Sequence, residues 1–172
     1  MLSGCGDTTE SQSNGDGNAV AAASGSVAPP ANWMATDACA VIDKAAMAAI
    51  VGQPVVEASL ALVHDSDGTT AATSKCYYKL NDGTQADLMM RWSPIADNTE
   101  GAMNLARNGL QETLKAFNKS LETMDGLGKA AFWADIGLLN VFIGEDKFVI
   151  ISMPTGPQAK DHAIALARKL GA

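Results

Sequence analysis

The sequence has few residues of the kinds that hold metal ions. Only two of its 172 residues are histidines, His64 and His162, and only three are cysteines. Neither histidine has a second histidine three or four positions away, whereas a zinc site needs three or four ligands. The eight methionines raise the alternative of a copper site, but Met89 and Met90 point to opposite faces of one predicted strand, which favours core packing. We therefore expect no metal and no cofactor.

Basic charge is also scarce and dispersed. Twelve Lys and Arg residues stand against 19 Asp and Glu residues, and the basic ones are dispersed between Lys44 and Lys169, where only Arg168 and Lys169 are adjacent. A nucleic-acid surface needs clustered basic residues, so we expect no nucleic-acid partner. Long hydrophobic runs are missing too: Leu138–Ile143 is interrupted by Asn140 and is too short to cross a bilayer.

Catalytic motifs are absent or incomplete. No G-x-S-x-G nucleophile elbow occurs, and His64 beside Asp65 is sequence adjacency, which does not make a catalytic triad. The segment Gly126–Ala131 fits a loose G-x-G-x-x-A pattern, but a strand, not the helix that nucleotide binding requires, is predicted after it. Asp65–Gly68 resembles the start of a calcium loop without the later Glu. We expect a protein that is not an enzyme.

The amino terminus holds the most informative pattern. Leu2-Ser3-Gly4-Cys5 precedes residues 6–32, a segment rich in Gly, Ser and Ala that we predict to be a disordered linker. These four residues resemble the lipobox of bacterial lipoproteins, in which the cysteine receives a diacylglyceryl group. The resemblance implies lipidation of Cys5, membrane attachment through that lipid, and a domain in the cell envelope facing the periplasm or the exterior.

A complete lipoprotein signal also has a basic segment and a long apolar segment before the lipobox. Both are missing here, which leaves two interpretations of Met1: an internal or misassigned start, or a shortened chain. The alternative to a tether is an ordinary polar tail in which Cys5 occurs by chance.

The rest of the chain predicts one α+β domain over residues 33–172. Asp37 begins a first helix that ends at Gly52, Asn98 or Thr99 caps a second, and a third runs from Pro157 to Gly171. The predicted strands are 55–63, 74–80, 84–93, 121–124, 130–136, 138–143 and 147–153. The order α-βββ-α-ββββ-α predicts antiparallel sheet and suggests a pseudo-repeat of two halves.

Two cysteines remain inside this domain, Cys39 and Cys76. An envelope compartment permits disulfides, so we expect the pair to be bridged; two buried free thiols are the alternative.

Short motifs in the domain resemble a group of uncharacterised, small, disulfide-bonded lipoprotein domains abundant in actinobacteria. The motifs are Asp37-Ala38-Cys39, Gly52-Gln53-Pro54, Cys76-Tyr77-Tyr78 and Gly126–Ala130 followed by Phe132-Trp133. Lys129 departs from the acidic residue frequent at that position in the group. The resemblance implies the disulfide and the α+β fold, and it implies no activity.

The function predicted from sequence is a binding module for a protein, a glycan or a small ligand. The ligand would bind on the sheet face or at the loop His64–Thr73. The candidate surface residues are Trp92 and Trp133, because tryptophan is enriched at recognition surfaces, and His64, which begins the loop. The alternative is a structural or stress lipoprotein that supports an envelope assembly without a ligand pocket.

Overall fold

The computed structural model describes residues 29–172. Cys5 and all but the last four residues of the predicted linker 6–32 lie outside this part of the chain. The helices are α1 Ala38–Val41, α2 Lys44–Val51, α3 Glu100–Lys115 and α4 Ala159–Lys169. The strands are β1 Val55–His64, β2 Ala72–Leu80, β3 Gln85–Trp92, β4 Leu121–Thr123, β5 Ala130–Ala134, β6 Leu138–Ile143 and β7 Lys147–Ser152.

All seven strands form one antiparallel sheet in the order β1-β2-β3-β7-β6-β5-β4. This confirms the predicted α+β class with antiparallel sheet. The turn at Asn81-Asp82-Gly83 joins β2 to β3, with Gly83 at φ +83° as the hairpin requires. The first three strands and the last four meet where β3 pairs with β7. The pseudo-repeat stays a prediction.

The structure corrects the helix count, because the first predicted helix is two helices. Ile42 is extended at φ −122° and ψ 99°, so α1 ends before it. Asp43 then caps α2, its side chain accepting a hydrogen bond from the backbone N–H of Ala46. Two capping aspartates six residues apart, Asp37 and Asp43, therefore each begin a short helix in place of the single one predicted.

The two faces of the sheet are covered differently. Helices α1, α2 and α4 pack on one face, which we call the helix-covered face, and the main core lies there. Its largest fully buried side chains on the strands include Tyr78, Leu88, Met90, Leu139 and Ile151. On the opposite face, which we call the open face, α3 alone packs, and it contacts β4 and β5.

Three contacts hold α1 to β2, and they begin with the predicted disulfide. Cys39 and Cys76 are bonded, with Cα atoms 5.1 Å apart. Ser74 Oγ accepts a hydrogen bond from the N–H of Ala38 at 2.9 Å, and the Tyr78 hydroxyl donates to the carbonyl of Ile42 at 2.6 Å. Burial, aided by nearby carboxylates, raises the pKa of Tyr78 well above its usual range, so this donor keeps its proton.

Replacing both bridged cysteines tests how far α1 depends on the disulfide. The double variant Cys39→Ser, Cys76→Ser should lose about 2 to 4 kcal/mol of unfolding free energy, because the bridge closes a loop between residues 37 positions apart. The domain should stay folded, since the Ser74 and Tyr78 hydrogen bonds remain. Urea unfolding in a Cys5→Ser background measures the change, and equal midpoints with and without the bridge would contradict the expectation.

Candidate functional site

Helix α3 is the least firmly packed of the long elements. Thr99 caps it by accepting from the N–H of Ala102 at 3.2 Å, so Thr99, not Asn98, is the N-cap. Of its sixteen residues only Leu114, in the last turn, is fully buried. Phe117 lies beyond the end of the helix and is exposed. The helix is thus anchored at its carboxyl end and bridges the open face elsewhere.

A cleft of about 230 Å³, open to solvent, lies beneath the first half of α3, and we call it the α3 cleft. Ala102 and Ala106 form its helical wall, while Phe142 on β6 and Phe148 on β7 form its floor. The two phenyl rings lie 4.5 Å apart between centroids. Because alanine side chains are short, α3 passes over the two phenylalanines without filling the space between them and the helix.

Polar groups close one end of the α3 cleft. Arg91 and Asp97 form a bidentate ion pair there, with Arg91 Nη1 2.9 Å from Asp97 Oδ1, and the hydrogen bonds from Arg91 lower the pKa of Asp97. Asn98 is buried and donates through Nδ2 to the carbonyls of Gly144 and Lys147. Its Oδ1 has no hydrogen-bond partner among residues 29–172.

The glycine-rich segment Gly126–Ala131 braces this end of the cleft. Lys129 Nζ donates to the backbone carbonyl of Asn98 at 2.8 Å and to Glu145 Oε2 at 2.6 Å. At Gly128 a Cβ atom would lie 2.4 Å from the carbonyl oxygen of Phe142. Strand β5 begins within the segment, at Ala130, so the two glycines belong to a tight turn that packs against β6.

Beyond α3 the open face is uncovered and more polar. Lys75 lies 3.0 Å from Asp87 and 4.7 Å from the ring centroid of Tyr77. Met89 and Ile150 pair across β3 and β7 and are half-buried. A wide depression of about 350 Å³ lies at the outer end of this face and is lined by Glu57, Ser59, Tyr77, Lys79 and Gln85.

The candidate residues predicted from sequence are not brought together. Trp92 and Trp133 are only 7% and 8% exposed, and the strand register places both on the helix-covered face. The indole of Trp92 donates to Asp146 Oδ2 at 2.9 Å. His64 is exposed at the end of β1, with Nδ1 3.2 Å from the carbonyl of Ala71. Trp33, at the predicted domain boundary, is buried.

The loop after His64 is held by hydrogen bonds among its own residues. Asp67 Oδ1 accepts from the N–H groups of Thr70 and Thr69 and from the Thr69 hydroxyl, which lowers the pKa of Asp67. Ser66 is buried and donates to the carbonyl of Thr70 at 2.8 Å. Carboxylate oxygens that accept these bonds are less available to a cation.

Sequence reasoning did not identify the α3 cleft. A signal was present, since Phe142 and Phe148, one on each side of the turn between β6 and β7, pair directly with each other. Alanines at positions 102 and 106, four apart on the helix, face them. The pairing of small helical residues with aromatic strand residues becomes informative only when the helix is known to cross those strands.

Residues 29–172 contain no group of three or more histidine, cysteine or acidic side chains placed to hold a metal ion. Within the same range, every helix is too short or too polar to cross a bilayer.

Comparison with known proteins returned no matching family model, curated sequence or solved structure.

Two glycine substitutions test whether Gly126–Ala131 is a structural turn. Gly128→Ala should destabilise the domain by about 3 kcal/mol, because the added methyl meets the Phe142 carbonyl and φ is +62°. Gly126→Ala is the matched control: φ is +72° but no atom lies within 4 Å, so the loss should be about 1 kcal/mol. Thermal unfolding compares the two, and equal losses would contradict the close approach to β6.

Proposed function

We propose that this protein is a lipid-anchored binding module of the bacterial envelope, without enzymatic activity, and that its ligand site is the α3 cleft. The ligand class is a small molecule with an apolar or aromatic group. A protein or glycan ligand, also considered from the sequence, would need a broader site than the cleft offers.

The observation that carries the proposal is the unfilled space between α3 and the aromatic floor. The cleft opens to solvent, so its apolar lining, Ala102, Ala106, Phe142 and Phe148, is in contact with water. An apolar ligand that displaces this water removes apolar surface from it, which is favourable. At about 230 Å³, the cleft has room for one substituted ring or a short branched chain.

Charge pairing at the end of the cleft supports binding rather than catalysis. Arg91 is paired with Asp97, and Lys129 with Glu145 and the Asn98 carbonyl. A general base or nucleophile works through a free lone pair at its reacting atom. The ionised groups at this end are already engaged with each other, so they are suited to hold the end of the cleft in shape.

Attachment to a membrane is the second part of the proposal, and the sequence around Cys5 supports it. The domain also begins at a suitable place. Trp33 Nε1 donates to the backbone carbonyl of Arg91 at 3.2 Å, so the chain enters the domain at the same end of the sheet as the cleft's charged groups. A lipid tether would therefore attach near the ligand site.

Filling the cleft should stabilise the domain and block the ligand. Ala106→Leu places a larger apolar side chain over Phe142 and Phe148, so the unfolding free energy should rise by about 1 kcal/mol. Indole and toluene serve as probes, and in the parent chain they should shift the methyl NMR signals of Ala102 and Ala106. In the variant, the probes should no longer shift the Ala102 methyl signal.

The control for that experiment is Ala165→Leu, at an exposed position on α4. It adds the same side chain outside the cleft and should leave the probe-induced shifts unchanged. Loss of the shifts in both variants, or no shifts in the parent chain, would contradict the assigned site.

Membrane attachment should depend on the position of the cysteine. Expressed from its native gene, the protein should fractionate with membranes, and Cys5→Ser should release it, since stable attachment takes two or more acyl chains. The control combines Cys5→Ser with Ser13→Cys, which keeps the number of cysteines but moves one out of the lipobox. Immunoblots of washed membranes measure the distribution, and membrane recovery of either variant at the parent level would oppose the proposal.

A further inference from the structure

Exposed apolar side chains are concentrated in the edge strand β1. Nine large apolar side chains are exposed among residues 29–172, and four of them, Val56, Leu60, Leu62 and Val63, belong to this one strand. Their exposed fractions run from 43% to 68%. Exposed apolar side chains along an edge strand are a feature of strands that pair with another chain.

The backbone of β1 has unused hydrogen-bonding groups on the same edge. Leu80 bonds toward β3, because its N–H donates to Thr84 and its carbonyl accepts from Gly83. The backbone N–H and C=O groups of successive residues in a strand point to opposite sides. Lys79 and Tyr77 therefore bond toward β1, where they pair with Glu57 and Ser59. The N–H and C=O groups of Ala58 and Leu60 therefore point away from the sheet, where no described strand pairs with them.

The edge is limited at both ends. Register shifts occur between Val55 and Glu57 and between Ala61 and His64, and Leu62 has φ +52°. Lys44 Nζ donates to the carbonyl of Val56 at 2.8 Å, which occupies one outward group. Bulges and edge lysines restrict pairing, so the regular pairing edge is short, from Glu57 to Ala61.

We propose that two copies of this chain associate through β1, antiparallel, about a two-fold axis at Ser59. In this register Ala58 lies opposite the partner's Leu60, so outward donors and acceptors meet on both strands. At the ends of this regular edge Glu57 lies opposite the partner's Ala61. The apolar Ala58 and Leu60 therefore face each other across the interface, and the two Glu57 carboxylates do not meet.

A second copy fits this edge better than open-ended stacking. Two-fold pairing uses β1 of both copies and leaves only the β4 edges outside. Strand β4 has three residues, and its Glu122 is paired with Lys160 at 2.7 Å. A short, charged edge resists further strand addition, so association should stop at the dimer. This inference goes beyond ligand binding in the α3 cleft and uses none of its residues.

Sedimentation velocity of the full chain carrying Cys5→Ser tests the dimer. A reversible monomer–dimer equilibrium is expected at concentrations up to about 1 mM, the order of magnitude that tethering produces. Leu60→Lys should weaken dimerisation about tenfold or more, because it places two like charges at the interface. The matched control Leu105→Lys, at an exposed position on α3, should leave it unchanged. Circular dichroism checks that both variants are folded.

Cross-linking tests the register. Residues on the two-fold axis form a non-hydrogen-bonded pair with Cα atoms about 4.5 Å apart, which is within disulfide reach. Ser59→Cys in the Cys5→Ser chain should oxidise to a covalent dimer, whereas Thr113→Cys on α3 should not. Three outcomes would each overturn the proposal: a chain that stays monomeric throughout the concentration range, equal effects of the two lysine variants, or no cross-link at position 59.

Discussion

The pairing of β3 with β7 is the interaction on which both faces of this domain depend. It joins the first three strands to the last four through residues about sixty positions apart, with Leu88 opposite Ile151 and Met89 opposite Ile150. On the helix-covered face the pair forms the centre of the main core. On the open face the same register sets Arg91 beside Phe148 and so defines the end of the α3 cleft. Loss of this register would remove the core and the cleft together.

Local features of the fold follow from the sequence because their causes are local. The hairpin at Asn81-Asp82-Gly83 needs residues that accept positive φ, and the helix ends need capping side chains. The Cys39–Cys76 bridge was also predictable, since these two are the only cysteines in the predicted domain. The break between α1 and α2 was harder to foresee, because the apolar spacing continues through Ile42 and Asp43 as if the helix did.

The candidate site could not be predicted to the same degree, because it depends on which face of the sheet each helix covers. The two-residue period of side chains along a strand correctly places Leu88, Met90 and Trp92 on one face of β3, but it does not say whether that face is solvated. Since α1, α2 and α4 cover this face, Trp92 belongs to the core. Trp133 does too, because it pairs with Leu139 on the same face. In the sequence the tryptophans stood out as candidate binding residues, whereas the α3 cleft exists because Ala102 and Ala106 are small.

The proposed dimer and the proposed ligand site are compatible because they use different parts of the sheet. A two-fold axis perpendicular to the sheet keeps the open faces of both copies on one side, so both α3 clefts would open on the same side. The antiparallel arrangement sets the two chain entries, near Trp33, at opposite ends of the joined sheet. The predicted linker 6–32, about 90 Å when fully stretched, is long enough for both lipid anchors to reach one membrane. Two anchored copies would then hold two ligand sites on one surface, and the second anchor would make attachment firmer than a single lipidated cysteine does.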